Sequence, residues 1–325
     1  MLDTKEIFHC IGPELSALEE KLYEAVASPV TIIGEMGRHL VKSGGKRLRP
    51  ALFLLAARAY GETDRERTMP LAAAIELIHM ASLVHDDVID TAGTRRGNPT
   101  LNAKWGNQAA VLTGDFMFAQ AFSLVLGKGY EEAVGERLAS LVRGLCAGEI
   151  LQDAALYRVP PSIEDYERRI SMKTADFFAV CTELGAMIGG ASERAAASAK
   201  AYGKALGMAF QITDDILDVA GRAERTGKPA GNDIRQGVVT LPALRGLEVS
   251  PDREELGRIL TNPRMTDEDV RRAIEIVRAS DGVDFARQAA LRYVDEARRN
   301  IPEDMEHEAR EAFFAAADNT VGREF

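Results

Sequence analysis

Two apolar, helix-competent stretches that end in the same acidic pattern constrain this chain more than any other feature. The first runs His79-Met80-Ala81-Ser82-Leu83-Val84-His85-Asp86-Asp87-Val88-Ile89-Asp90, and the second runs Phe210-Gln211-Ile212-Thr213-Asp214-Asp215-Ile216-Leu217-Asp218. On a helix of 3.6 residues per turn, the first and last aspartates of each cluster stack on one face and the middle one flanks them. Like charges so close repel one another, and carboxylates at a helix C-terminus oppose its dipole. Taken singly, either cluster reads equally as a metal site or as a solvated helix end. As a pair on separate helices, they can face each other across a cavity and hold divalent ions between them. Hard oxygen donors of this kind suit Mg²⁺, which keeps waters and substrate phosphates in its shell. A ligand carrying many negative charges, most simply a diphosphate, fits such an arrangement.

The rest of the chain supports helices. No segment alternates with period two over a useful length, so no strands are expected. Residues 3–42 predict two helices divided near Ser28-Pro29, and Pro50 and Pro70 each fit a helix start. Trp105 to Val159 is free of proline and helical in period, with a break at Gly127 to Gly129. Ser162 fits the N-cap of a helix reaching Gly189-Gly190, and Ser192 begins the helix that carries the second acidic cluster. Thr266-Asp267-Glu268-Asp269 marks a further start. Nothing between these elements reads as a linker, so an all-α fold in one domain over residues 1–325 is expected.

Hydrophobic residues at 46% and charged residues at 28% are ordinary for a globular protein with a substantial core. A net charge of −10 argues against nucleic acid as the main partner. Cys10, Cys146 and Cys181 show neither paired nor metal-ligand spacing, which predicts buried thiols in a reducing, cytoplasmic setting. With no signal peptide and no unbroken apolar run of membrane-spanning length, a protein that does not cross a bilayer is expected.

Basic groups accompany the acidic ones. Lys46, Arg47 and Arg49 stand at a helix start, where free N–H groups and the dipole also attract anions. Arg95 and Arg96 follow the first acidic cluster, and Lys228 lies in a glycine loop after the second. Singly, such charges are ordinary solvated groups. Together they describe a pocket with metals on one side and cationic donors on the other.

Gly44-Gly45-Lys46-Arg47-Leu48-Arg49-Pro50, His79 ahead of Asp86-Asp87-Val88-Ile89-Asp90, Arg95-Arg96-Gly97, Lys173-Thr174, Phe210-Gln211 with Asp214 to Asp218, and Gly227-Lys228-Pro229 occur in one order. In these motifs the chain resembles the trans-isoprenyl diphosphate synthases over nearly its whole length. The resemblance implies an isoprenoid-synthase-type helical bundle around a central cavity, usually in a homodimer. It also implies a head-to-tail reaction, in which an allylic diphosphate ionises and isopentenyl diphosphate attacks the cation. By that resemblance Asp86, Asp90 and Asp214 are the principal Mg²⁺ ligands, and Asp87, Asp215 and Asp218, the rest of the two acidic motifs, belong to the metal site in support of them. Arg95, Lys173 and Lys228 grip the allylic diphosphate, Gln211 adds a polar contact, and Thr174 faces the developing cation. Gly45, Lys46, Arg49, His79 and Arg96 form the isopentenyl diphosphate site, while His85 is read as structural. One departure stands out: many members carry a lysine after the glycine at Gly237, and here that residue is Val238. A class I terpene cyclase, the nearest alternative, lacks a second DDxxD motif and the basic isopentenyl site. A non-catalytic partner subunit usually loses aspartates that this chain keeps, although some long-chain enzymes require a separate small subunit.

Product length follows from geometry within that resemblance. Counting back from Asp86, Ser82 and then Ile78 or His79 recur on nearly one face, each four-residue step descending ~6 Å. Short-chain members block this path with aromatic residues four or five positions before the first aspartate. Here those positions hold Ser82 and Ala81. The expected tunnel is open at the top, with its floor at Met117 or Phe118. The expected product lies between hexaprenyl and decaprenyl diphosphate, with heptaprenyl the single best value.

Overall fold

The structure is a computed structural model that describes residues 4–160, 162–221 and 230–322. Helices follow one another along the chain. After α1 (Thr4–Ile7) and a 3₁₀ turn at His9–Ile11 come α2 (Gly12–Ala25), α3 (Thr31–Lys42), α4 (Leu48–Ala59) and α5 (Arg65–Ile89). A short β-hairpin leads into α6 (Leu101–Trp105), α7 (Asn107–Ser123), α8 (Glu132–Ala154) and α9 (Ile163–Ile170). A π-helical turn at Ser171–Ala175 joins α9 to α10 (Asp176–Ile188), and α11 (Glu193–Ala220) follows. The remaining elements are α12 (Asn232–Arg235), α13 (Leu241–Val249), α14 (Arg253–Leu260), α15 (Asp267–Ala279), α16 (Gly282–Arg299) and α17 (His307–Val321).

The acidic helices are core helices. In α5 the Asp64 side chain accepts from the Glu66 N–H, so the helix starts one turn before Pro70. Pro70 therefore lies inside the helix and does not open it as its sequence context suggested. By length and composition α5 is apolar enough to cross a bilayer, yet 72% of its most apolar window is buried inside the fold. On α11, glycine permits close packing against α10 and the π-helical turn that precedes it. A Cβ on Gly203 would lie 2.5 Å from the Phe178 carbonyl oxygen, and one on Gly207 would lie 2.5 Å from Ala175 Cα. This approach seats the second acidic cluster at the same end of the bundle as the first. Ser162 and Ser192 cap α9 and α11, and Thr266 and Asp269 form a reciprocal capping box on α15.

Two local departures from the expected helices shape the site. Thr94–Arg95 pairs antiparallel with Asn98–Pro99 around Arg96 (φ 53°) and Gly97 (φ 78°). Positive φ at both central residues is the geometry of a tight two-residue hairpin, and two-residue strands are too short to show alternation in a sequence. The π-helical turn interrupts what reads as one continuous helix, inserting an extra residue where Lys173 and Thr174 project.

Candidate active site

Both acidic clusters open onto one polar chamber of about 400 Å³, with Asp86 and Asp90 from α5 and Asp214 from α11 in its lining. Lys173, Thr174, Gln211, Arg49, Arg95 and Arg96 complete much of its wall. Burial lifts the Asp86 carboxyl to about 6, with Lys173 opposing the rise and Glu149 and Asp90 adding to it. Asp90 is raised as well, again chiefly by burial. These carboxylates therefore sit where a cation would be stabilised most.

The flanking aspartates are placed differently. Asp87 is buried on the basic side of α5, where Arg95 Nε donates to it at 2.8 Å. It therefore orients a cation and does not face the chamber. Asp215 accepts from Tyr166 Oη at 2.7 Å and Gln211 Nε2 at 2.9 Å, and burial pushes its carboxyl up to about 7. Thr174 Oγ1 donates in turn to Gln211 Oε1 at 2.8 Å. Asp215 thus holds Gln211, and through it Thr174, in position. Both carboxylate oxygens of Asp218 accept backbone N–H groups, from Asn232 and Asp233 at 3.0 Å each. Asp218 fastens the start of α12 to α11. In each cluster only part of the acidic pattern lines the chamber: Asp86 and Asp90 but not Asp87 on α5, and Asp214 and Asp215 but not Asp218 on α11.

The cationic wall begins at the glycine-basic turn. Arg96 Nη1 donates to the Gly44 carbonyl, and a Cβ on Gly45 would lie 2.5 Å from that nitrogen. Gly45 therefore contributes space for Arg96. Arg47, left-handed at φ 47°, is buried and paired with Glu19 and Glu76 at 2.6 and 2.8 Å. It braces the turn, while Lys46 beside it is exposed. Arg49 Nη1 donates to His79 Nε2 at 3.1 Å, and its guanidinium lies 4.9 Å from the Phe177 ring centre. Burial first, and then the surrounding arginines, drive the His79 pKa well below the usual histidine range. His79 is accordingly neutral, accepting at Nε2. Lys173 Nζ pairs with Glu149 at 2.7 Å. Lys228 lies outside the described residues.

From the polar chamber a more apolar cavity of about 340 Å³ leads away, sharing Asp86, Lys173, Thr174, Arg49 and His79 with it. Ser82, His85, Ile89, Phe118, Leu145, Cys146, Ile150 and Phe177 line this second space. Ser82 and Phe118 thus take the positions expected of a tunnel. Ala81 does not: it is fully buried in the core, and Met117 is almost as buried. Cys146, expected as a buried thiol, is exposed, whereas Cys10 and Cys181 are buried. His85 packs on Gly114, whose absent Cβ would lie 2.2 Å from Nε2, and its ring centre is 5.7 Å from that of Phe118.

Sequence reasoning missed several wall residues. Glu149 and Gln152 stand one turn apart on α8 beside the apolar run Leu145 to Gly148, which was the available signal. Arg169, Asp233 and Gln236 also line the chamber, and Tyr166 supports it from behind. Asp233 is driven well above the usual carboxylate range, first by burial and then by Asp218 and Asp215.

The donor set fits a divalent cation. Its oxygens are hard ligands, and among the described residues no three His, Cys, Asp or Glu side chains converge to chelate an ion alone. Diphosphate oxygens and water would have to complete the shell of such an ion. Comparison with known proteins gives the family of the chain. Residues 30–277 match the polyprenyl synthetase family. Heptaprenyl diphosphate synthase component 2 of Geobacillus stearothermophilus is 42% identical over 293 residues, spanning 90% of this chain and 90% of that protein. A decaprenyl diphosphate synthase from Rhodobacter capsulatus superposes with a TM-score of 0.92 at 34% identity, covering 99% of this chain and 100% of that one. A polyprenyl synthase from Caulobacter crescentus CB15, complexed with calcium and isoprenyl diphosphate, gives 0.92 at 34% identity over 99% and 98%. The chain belongs to the polyprenyl synthetase family, whose members are prenyl-transferring enzymes.

Proposed function

We propose that the enzyme condenses isopentenyl diphosphate with an allylic diphosphate, in the presence of Mg²⁺, to give a long-chain all-trans polyprenyl diphosphate between C30 and C50, with C35 as the best value. The observation that carries this reading is the junction of a carboxylate- and cation-lined chamber with an apolar cavity that opens past Ser82. A diphosphate belongs in the first space and a growing hydrocarbon in the second.

In this reading Asp86, Asp90 and Asp214 hold Mg²⁺. The chemistry that Mg²⁺ supplies when bound is Lewis-acid neutralisation of the charge on the departing diphosphate. Lys173 and Arg95 grip the same diphosphate from the cationic wall, and their fixed charge gains most as its carbon–oxygen bond breaks. Thr174, whose hydroxyl hydrogen is given to Gln211, keeps its oxygen lone pairs for the allylic cation. Arg49, His79, Arg96 and Lys46 hold isopentenyl diphosphate so that its double bond attacks that cation. One carbon–oxygen bond breaks, one carbon–carbon bond forms, and the proton lost afterwards passes to the released diphosphate.

The assembly is also part of the proposal. Val111, Leu112, Leu126, Ile150 and Leu151 are exposed on or beside α7 and α8, which supports a homodimer through these helices in a cytoplasmic enzyme. The Geobacillus relative is named as one component of its enzyme, so a small partner subunit is included as well. Incubating the chain with Mg²⁺, isopentenyl diphosphate and farnesyl diphosphate, then sizing the product, tests the reading. A product between C30 and C50 is expected. Termination at geranylgeranyl diphosphate with isopentenyl diphosphate in excess would assign a short-chain enzyme.

A further inference from the structure

Arg169 is a buried cation in the chamber wall that neither the acidic clusters nor the basic motifs account for. It is 7% exposed and sits four residues before Lys173, with which it shares the chamber lining. Its Nη2 donates to the Val239 carbonyl oxygen at 2.7 Å, and its guanidinium lies 5.8 Å from the Tyr166 ring centre. These two contacts fix the plane of the group. A guanidinium carries five N–H donors. No side-chain nitrogen of Arg169 is both buried and unpaired, so the donors not taken by Val239 open onto the chamber.

Beyond an electrostatic pull that lowers the pKa of the buried Asp215 carboxyl, the surroundings give no other reason for a charge here. Asp215, nearby on the same wall, already accepts from Tyr166 and Gln211. Among the described residues, no carboxylate pairs with Arg169 at salt-bridge distance. A buried cation without such a partner costs free energy unless an anion joins it. Next to the carbonyl that Arg169 holds, Val238 adds an uncharged side chain to the same lining. A planar fork suits phosphate oxygens better than a single lysine charge does.

We propose that Arg169 binds the diphosphate of the allylic substrate, supplying at this wall the cation that Val238 does not. The inference rests on the reading of the chamber as the prenyl-transfer site. The rival role is a purely structural one, in which Arg169 only fastens Val239.

Calorimetric titration of the full chain with inorganic diphosphate at fixed Mg²⁺ separates the two. Arg169→Gln keeps a donor for the Val239 carbonyl but removes the charge. It should weaken diphosphate binding about ten- to a hundredfold, the loss typical of a charge-assisted hydrogen bond. In turnover it should impair use of the allylic substrate and leave the KM for isopentenyl diphosphate nearly unchanged. Adding Val238→Lys to Arg169→Gln should restore most of the affinity, which repair of a structural fastening would not do. Val238→Lys alone should tighten binding, and it decides the matter if Arg169→Gln does not fold. Wild-type affinity in a folded Arg169→Gln protein, no recovery in the double variant, or no effect of Val238→Lys alone would each overturn the proposal. Lys173→Ala and Asp214→Ala serve as controls: if both also bind diphosphate as the wild type does, the reading of the chamber itself fails.

Discussion

The same substitution at two adjacent residues should have opposite consequences. Ser82 lines the apolar cavity one helical turn, ~6 Å, below Asp86, whereas Ala81 is fully enclosed in the core. A phenyl ring at Ser82 enters the cavity near its junction with the polar chamber and stops chain growth early. Ser82→Phe should therefore end at farnesyl or geranylgeranyl diphosphate while turnover per condensation persists. At Ala81 there is no cavity to fill, and overpacking a close-packed core costs ~1–3 kcal/mol or more. Unfolding entropy near 2.1 cal/mol/K per residue gives roughly 0.7 kcal/mol/K for a chain of 325 residues. The expected fall in Tm for Ala81→Phe is thus roughly 1.5–4.5 °C, against little change for Ser82→Phe. Thermal melts and chromatographic sizing of labelled products measure both effects. Full-length product from Ser82→Phe would refute the assignment of the cavity, and a clean shortening by Ala81→Phe at unchanged Tm would refute the assignment of the core.

The other predictions concern charge. Asp86→Ala and Asp214→Ala should each lower turnover by roughly 10²-fold or more with the fold retained by circular dichroism, since each removes a group aimed at the chamber; near-normal turnover in either would remove it from the metal set. His79→Ala and Lys46→Ala should chiefly raise the KM for isopentenyl diphosphate, and unchanged affinity in initial-rate kinetics would contradict the basic-turn assignment. In excess EDTA, Asp86 and Asp215 titrate near 6 and 7, above the ordinary 3.8, so the folded state binds their protons more tightly. Their stabilising contribution is present below about pH 4 and lost as pH rises through 6 and 7. The metal-free Tm should fall between about pH 4 and 7, and Asp215→Asn should remove part of that fall; the same pH dependence in the variant would count against the burial of this carboxyl.

Much of this site was legible because its charges recur at helical spacing. Asp86, Asp90 and Asp214 share a chamber as their pattern on two apolar helices predicted, and Arg49, His79, Arg95 and Arg96 line its cationic side. What could not be read was which flank of each helix meets which neighbour. Asp87 turns to Arg95, Asp215 to Tyr166, and Asp218 to the start of α12; none of these partners is implied by the acidic pattern itself. Ala81 and Ser82 differ by one residue, hence by ~100° around α5, and that rotation separates core from cavity. The π-helical turn under Lys173 and Thr174 carries no periodic signal, since one extra residue shifts the phase within a single turn. Arg169 and Glu149 lie in helices whose charges read as solvent-facing until α8, α9 and α11 are placed together.

The central claim is that the two acidic helices act through divalent cations on a diphosphate. Turnover of isopentenyl and farnesyl diphosphates, measured as free Mg²⁺ is raised from excess EDTA, tests it most directly. No product in EDTA is expected, followed by a rise to saturation with Mg²⁺ that Asp214→Ala abolishes. Full turnover in excess EDTA would contradict the account.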